Sequence, residues 1–301
     1  MPRWDPGVEG VLYGTRDPGR RMFYAFGMES DALRGFIARY PRLFVLTGAG
    51  CSTDSGIPDY RDADGGWKRT QPVQFRAFMD ELSTRKRYWA RSLVGWRRLR
   101  RARPNDAHRA LAALEQRGGV ALLVTQNVDR LHQAAGSTNV VDLHGRLDLV
   151  RCMGCERRLP REELQQELLE RNPDWIDLDA REAPDGDADL DGLDFSTFEV
   201  PACAACGGLL KPDVVFYGES VPRERVEIAM QGVQDADAML VVGSSLMVYS
   251  GYRFAREAAA AGKPIATVNL GRTRADDLFS LKVAQSCAAA LAFLLQDSRV
   301  A

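Results

Sequence analysis

The feature that most restricts how this chain can fold is a series of short apolar runs, each ending at small or polar residues. Leu43 to Leu46 runs into Thr47–Gly48–Ala49–Gly50, and Val120 to Val124 is followed by Thr125 to His132. Val140 to Leu143 ends at His144–Gly145, Ala238 to Val242 leads to Gly243–Ser244–Ser245, and Ile265 to Val268 leads to Asn269. Stretches with helical spacing lie between or before them: Asp31 to Tyr40, Asp106 to Gln116 and Gly251 to Ala261. Continuous apolar strands alternating with helices predict an α/β architecture, a Rossmann-like parallel sheet with helices on both faces. Ligands of such sheets bind beyond the carboxyl ends of the strands, so these separate segments are expected to meet at one crevice.

Two segments interrupt the alternation. Residues 60–104 are rich in arginine and aromatics, and residues 151–208 carry four paired cysteines. Both are expected to belong to a smaller inserted domain, part zinc ribbon and part helical. The Rossmann-like parts are then about 29–59, 105–150 and 209–301. Residues 1–28, with no sustained periodicity, read as an N-terminal extension packed loosely or not at all. The arginine-rich run from Arg85 to Arg103 reads as the solvated face of helices, balanced by the acidic stretch from Asp174 to Asp194, which reads as a mobile loop.

With a net charge of −1, the chain has no overall steering toward nucleic acid or membrane. No apolar run approaches the roughly 20 residues that cross a bilayer. The amino terminus, interrupted by Asp5, Glu9 and Asp17, has no secretion-signal core. The cytoplasm is therefore the expected compartment. There, six cysteines point to metal or redox chemistry, not to a disulfide framework.

Cys152–Met153–Gly154–Cys155 and Cys203–Ala204–Ala205–Cys206 have the spacing that aims two sulfurs of each pair at one ion. Two such pairs fill a tetrahedron, so one closed, structural zinc is expected. Gly48–Ala49–Gly50 after a strand suits approach of a phosphate to backbone N–H groups, although Thr53 stands where a third glycine would complete the dinucleotide fingerprint. Histidine is confined to His108, His132 and His144. His108 falls within an amphipathic helix and reads as a packing or surface residue. His132 reads as a satisfied structural residue. His144, at the carboxyl end of a buried strand, is the candidate general base.

Taken together, these segments closely resemble the sirtuin family. The resemblance is carried by TGAGCSTDSGIPDYR (Thr47 to Arg61), TQNVDRLH (Thr125 to His132), DLHG (Asp142 to Gly145) and the two cysteine pairs. KPDVVFYGE (Lys211 to Glu219), GSSLMV (Gly243 to Val248) and Val268–Asn269 complete it, in family order. RYWARSLVGW, SGYRF and TRADDL are similar to the class II branch of mitochondrial and bacterial sirtuins.

The resemblance implies NAD-dependent removal of acyl groups from protein lysines, yielding nicotinamide, O-acyl-ADP-ribose and deacylated protein. It implies that Gly48, Ala49, Gly50 and Ser52 hold the NAD diphosphate, with Asp59, Tyr60 and Arg61 in a flexible cofactor loop. Gln126, Asn127, Val128 and Asp129 match the ribose and nicotinamide pocket. Asn127 also stands with His144 among the catalytic residues. Gly243, Ser244, Ser245, Asn269, Leu270, Gly271 and Cys287 match the adenosine side. Acylated peptide is expected as an added strand against Val215, Tyr217, Gly218, Glu219 and Val248. Cys51 departs from an aliphatic residue common at its position, Ser250 from a proline, and Tyr60 and Tyr217 from phenylalanines. The alternatives are protein mono-ADP-ribosyl transfer on the same fold, and a non-catalytic NAD-sensing or nucleic-acid-binding zinc module.

Overall fold

The computed structural model describes residues 18–68, 72–175, 178, 190 and 192–296, with side chains described from residue 29 onward. A six-stranded sheet runs in the order β3-β2-β1-β7-β8-β9. Its strands are β1 (Leu43–Thr47), β2 (Val120–Thr125), β3 (Val140–Asp142), β7 (Ala238–Val242), β8 (Ile265–Val268) and β9 (Leu281–Val283). All five pairings are parallel. The order reverses beside β1, where β2 lies on one side and β7 on the other, which is where a ligand crevice opens in this architecture. A second sheet, β5-β4-β6, is antiparallel and built from β4 (Gly145–Cys152), β5 (Arg158–Pro160) and β6 (Leu210–Val214).

Alternation along each strand divides the main core in two. Leu43 and Val45 face one side with Leu33, Ala107, Leu111, Val242 and Leu291, while Phe44 and Leu46 face the other with Val124, Val233, Val241, Phe254 and Ala258. Burial on both faces explains why these strands are apolar without a break. A third cluster stands apart and unites the two interrupting segments: Phe78, Trp89 and Leu93 from the first pack with Val150, Leu164, Leu168, Phe198 and Leu210.

The arginine-rich run lies largely on the helix Leu82–Leu99, whose Tyr88, Trp89, Leu93 and Trp96 are buried. Its arginines serve as staples: Arg85 Nη1 donates to the carbonyls of Phe78 and Met79, and Arg100 pairs with Glu162 at 2.7 Å. Most of the acidic stretch lies outside the described residues. The first helix corrects the boundary read from periodicity, since it spans Pro18–Arg39 and so starts well before Asp31. Residues 1–17 of the expected extension lie outside the described residues. No helix among the described residues is long and apolar enough to cross a membrane.

Candidate active site

The site is made by strand ends brought into line. Thr47 of β1 pairs with Thr125 of β2 and Val242 of β7; Thr125 pairs with Asp142, and Val242 with Val268. The residues that follow, Gly48, Gln126, Gly243 and Asn269, therefore emerge side by side. Gly48 N–H donates to the Val242 carbonyl at 3.1 Å, and Gly243 N–H to that of Val268 at 2.8 Å. Gly243 has φ +62°, and a Cβ there would sit 2.2 Å from the Cys51 nitrogen, so only glycine lets the two loops touch.

A polar network forms the floor. Asn127 Nδ2 donates to Ser52 Oγ at 2.9 Å and to the Gly48 carbonyl at 3.1 Å. Ser52 donates to Asp129 Oδ2 at 2.7 Å, and Asp129 Oδ1 accepts from Leu131 N–H at 2.9 Å. Burial lifts the Asp129 carboxyl above the usual carboxylate range, and the bonds from Leu131 and Ser52 work against that lift. His108 Nε2 stands 3.4 Å from Ser52 Oγ, while Thr47 Oγ1 lies 2.9 Å from both Thr125 Oγ1 and His132 Nε2. His108 also closes a capping box with Asn105. Burial holds both imidazoles neutral, with His108 down to about 4 and His132 well below its ordinary value. His132 was expected to be satisfied, but its buried Nδ1 has no partner.

His144 lies two residues beyond the end of β3, after Leu143, and is fixed at both ring nitrogens. Nδ1 is 3.0 Å from the Gln126 carbonyl and Nε2 is 2.7 Å from Ser250 Oγ. A carbonyl can only accept, so Nδ1 carries the proton and Nε2 keeps its lone pair, which the Ser250 hydroxyl meets by donating. Burial lowers His144 to about 4; the Gln126 carbonyl opposes this, and the charges of Arg225 and Arg253 add to it. The ring is thus a free base at neutral pH.

Two cavities meet at this ring. The smaller, about 400 Å³, is lined by Gly48, Gly50, Asp59, Arg61, Ser244, Ser245, Asn269, Leu270, Gly271 and Cys287. The larger, about 640 Å³, is lined by Val128, Asp129, Val215, Gly218 and Glu219. Ala49, Tyr60, Gln126, Asn127, His144, Tyr217 and Val248 line both. Ser52 lines neither, since it is buried and its hydroxyl is engaged beneath the floor. Glu219 faces the larger cavity, yet its carboxylate pairs with buried Lys211 at 3.0 Å and accepts from Phe216 N–H at 2.8 Å, so it shapes the loop.

Trp67 was missed by sequence reasoning. It packs edge-on to Tyr217 at 5.6 Å and to Tyr60 at 6.3 Å, with the Arg61 guanidinium 4.0 Å from its ring. A tryptophan directly after Gly65–Gly66 in an otherwise polar loop was the available signal. Thr47, Thr125 and Ser250 also had no chemical signature of their own, because their roles depend on partners distant in sequence.

The four paired cysteines converge. Cys152 Sγ and Cys206 Sγ are 3.4 Å apart, Cys155 Sγ and Cys203 Sγ 3.8 Å, and all four sulfurs lie within 4.8 Å of one another. Tetrahedral zinc with Zn–S bonds of about 2.3 Å sets its sulfurs about 3.8 Å apart, so the set fits zinc. No disulfide is formed. N–H groups of Gly154, Cys155 and Gly208 point at Cys152 and Cys206 sulfur at 3.4–3.5 Å, as suits thiolate ligands.

Comparison with known proteins agrees with this geometry. The Sir2 family profile matches residues 48–250. An NAD-dependent protein deacetylase of Xanthomonas campestris pv. campestris (strain 8004) is 70% identical over 275 residues, covering 91% of this chain and 94% of the relative. A solved structure described as Sir2 with a p53 peptide and NAD+ superposes with a TM-score of 0.71 at 29% identity, covering 90% of this chain and 98% of that one. A Sir2 enzyme bound to a propionylated peptide superposes equally well, with a TM-score of 0.71 at 29% identity, covering 91% of this chain and all of the other.

Proposed function

The chain belongs to the Sir2 family, the sirtuins, and from that membership we propose how its residues carry out NAD-dependent deacetylation of protein lysines. The single observation that carries the assignment is His144, a neutral base whose accepting nitrogen faces the junction of two cavities.

NAD supplies an activated ribose carbon from which nicotinamide can leave as the acyl oxygen approaches. The glycine turn at Gly48–Gly50 lines the smaller cavity and, without side chains at its two glycines, lets the diphosphate approach closely. The Gly48 and Gly50 N–H groups stay bound to the Val242 and Gly243 carbonyls. Ser244, Ser245 and Asn269 stand on the adenosine side. Asn127 and Asp129 receive ribose and carboxamide groups, held in place by Ser52 beneath them. Gln126 is oriented by its bond to Ser244 at 2.6 Å. The acyl-lysine enters the larger cavity between the Val215–Glu219 loop and Val248. His144 Nε2 takes a proton from a ribose hydroxyl, which displaces the Ser250 hydroxyl from that nitrogen. Tyr60 and Tyr217 wall the junction and exclude water, braced by Trp67 packed against both.

We assign the enzyme to broader deacylation as well, supported by the size of the larger cavity and by the propionylated peptide on a Sir2 neighbour. Residues 60–104 and 151–208 are assigned to one smaller domain, supported by their separate core. One structural zinc is held by Cys152, Cys155, Cys203 and Cys206; four ligands leave it no open position. The cytoplasm is the compartment we assign, supported by six cysteines that form no disulfide.

The test is a panel of acyl-lysine peptides incubated with NAD and read by mass spectrometry. O-acyl-ADP-ribose is the expected product. ADP-ribose attached to protein, without that product, would instead establish transferase chemistry.

A further inference from the structure

Beneath the glycine turn, Cys51, His108 and His132 form a second cluster of metal-ligating side chains, apart from the four-cysteine module. One ligand atom from each lies within 4.8 Å of the other two, and all three residues are buried. The reaction described above makes no use of the thiol, which is buried in the core. We propose that Cys51, His108 and His132 are an inhibitory site for a thiophilic divalent cation, zinc above all.

The orphaned nitrogen of His132 is the independent observation. A buried ring nitrogen ordinarily has a partner. Here Nε2 reaches Thr47 at 2.9 Å while Nδ1 is buried with none. The Thr47 hydroxyl donates to Thr125 and so accepts from Nε2–H, which leaves Nδ1 with a buried, unpartnered lone pair. The neighbouring His108 ring, with its centroid 4.7 Å away, makes only a 3.4 Å contact from Nε2 to Ser52. Its proton can sit on either nitrogen, since Asn105 offers Nδ1 both a backbone N–H at 3.3 Å and a side-chain oxygen at 3.0 Å.

Binding balances as follows. The Cys51 thiol gives its proton to solvent and binds as thiolate. His132 binds through Nδ1 and keeps its proton on Nε2, donating to Thr47. His108 moves its proton to Nδ1, where the Asn105 oxygen accepts it, and binds through Nε2. The site gains one net positive charge, which the Asp129 carboxylate behind Ser52 offsets. Zinc–nitrogen and zinc–sulfur bonds of about 2.0–2.3 Å suit ligand atoms that already lie within 4.8 Å of one another. Metal on His108 Nε2 takes that nitrogen from Ser52, and Ser52 positions both Asn127 and Asp129. Metal therefore disorders the floor on which NAD rests.

The experiment starts from zinc-loaded enzyme, whose four-cysteine module is filled, and adds cobalt(II) or zinc. The expected result is a second bound equivalent, with a thiolate-to-cobalt charge-transfer band. Deacetylation should fall by roughly fivefold or more at saturation, in the usual range for coupled sites. Cys51→Ala and His132→Gln should lose the second equivalent and keep the first, and Cys51→Ala should resist inhibition. If Cys51→Ala melts early, Cys51→Val takes its place. No second equivalent in the wild type, one that survives in the Cys51 variant, or binding without inhibition would each overturn the proposal. Metal content and absorption are read without NAD or peptide, so they stand apart from the assigned reaction.

Discussion

Nε2 of His144 and Oγ of Ser250 stand 2.7 Å apart, with the serine donating into the lone pair of the ring. The bond orients the base and also occupies it, so a substrate hydroxyl must replace the serine. His144→Ala should lower turnover by about 10²–10⁴-fold, the usual value of a general base, while zinc content and melting temperature stay as in the wild type. Ser250→Ala should keep most activity, falling less than about tenfold, because the Gln126 carbonyl still fixes the tautomer. Near-normal turnover in folded His144→Ala protein would remove the base from the mechanism.

The pH profile follows from the same ring. Burial first, then Arg225 and Arg253, hold its folded pKa at about 4, below the ordinary imidazole value, so the basic form persists to low pH. The acid limb of kcat/KM should lie well below pH 6.5. Removing the Arg253 charge makes protonation easier, so Arg253→Met should move that limb to higher pH. An acid limb at pH 6.5 in the wild type, unmoved in the variant, would contradict this electrostatic picture.

His108 and His132 make a separate prediction about stability. Their folded pKa values lie below the unfolded value of about 6.5, at about 4 for His108 and well below the ordinary value for His132. As pH falls through 6.5 the unfolded chain takes up these protons first. Stability is therefore full above pH 6.5 and is lost toward pH 4, by at most about 1.4 kcal/mol per pH unit per histidine. The urea midpoint should drop measurably from pH 7.5 to pH 5. A midpoint that does not move over that range would mean these rings are not held neutral.

Zinc removal should act at a distance. β4 begins at Gly145, the residue after His144, and ends at the ligand Cys152, which pairs with Leu210 at the start of β6. At the other end, Val215 N–H donates to the His144 carbonyl at 2.8 Å. Chelation should release one equivalent of zinc, lower the melting temperature and reduce deacetylation, with zinc restoring both. Full activity in protein stripped of metal would show that the module is not needed to hold the strand pair.

Several parts of this arrangement were legible in the residues. The apolar runs specify the parallel strands because burial on both faces demands unbroken hydrophobicity, and the cysteine spacing specifies its cluster. The segments that follow the strands meet because parallel strands align their ends. Other parts were hidden. β9 (Leu281–Val283) is too short and too mixed to announce itself, with Lys282 exposed between its two apolar residues. The first turns of the helix that starts at Pro18 carry Pro18, Gly19 and Gly27, residues that read locally as loop. The family resemblance implies Ser52 as a diphosphate contact, but its hydroxyl turns inward because Asp129 and Asn127, distant in sequence, claim it. Pairings of that kind are set by tertiary packing, which local pattern does not encode.

Tyr60, Gln126, Asn127, His144, Tyr217 and Val248 line both cavities, so the two ligands share one wall. Any ordering of these side chains by the first ligand is inherited by the second. If acylated peptide tightens NAD by some factor, NAD must tighten peptide by the same factor, since equilibrium coupling is reciprocal. An inhibitor that fits one cavity and presses on these shared residues will therefore depend on what fills the other. Its potency becomes a property of the complex it meets, and the same compound can rank differently in the presence of nicotinamide, product or peptide.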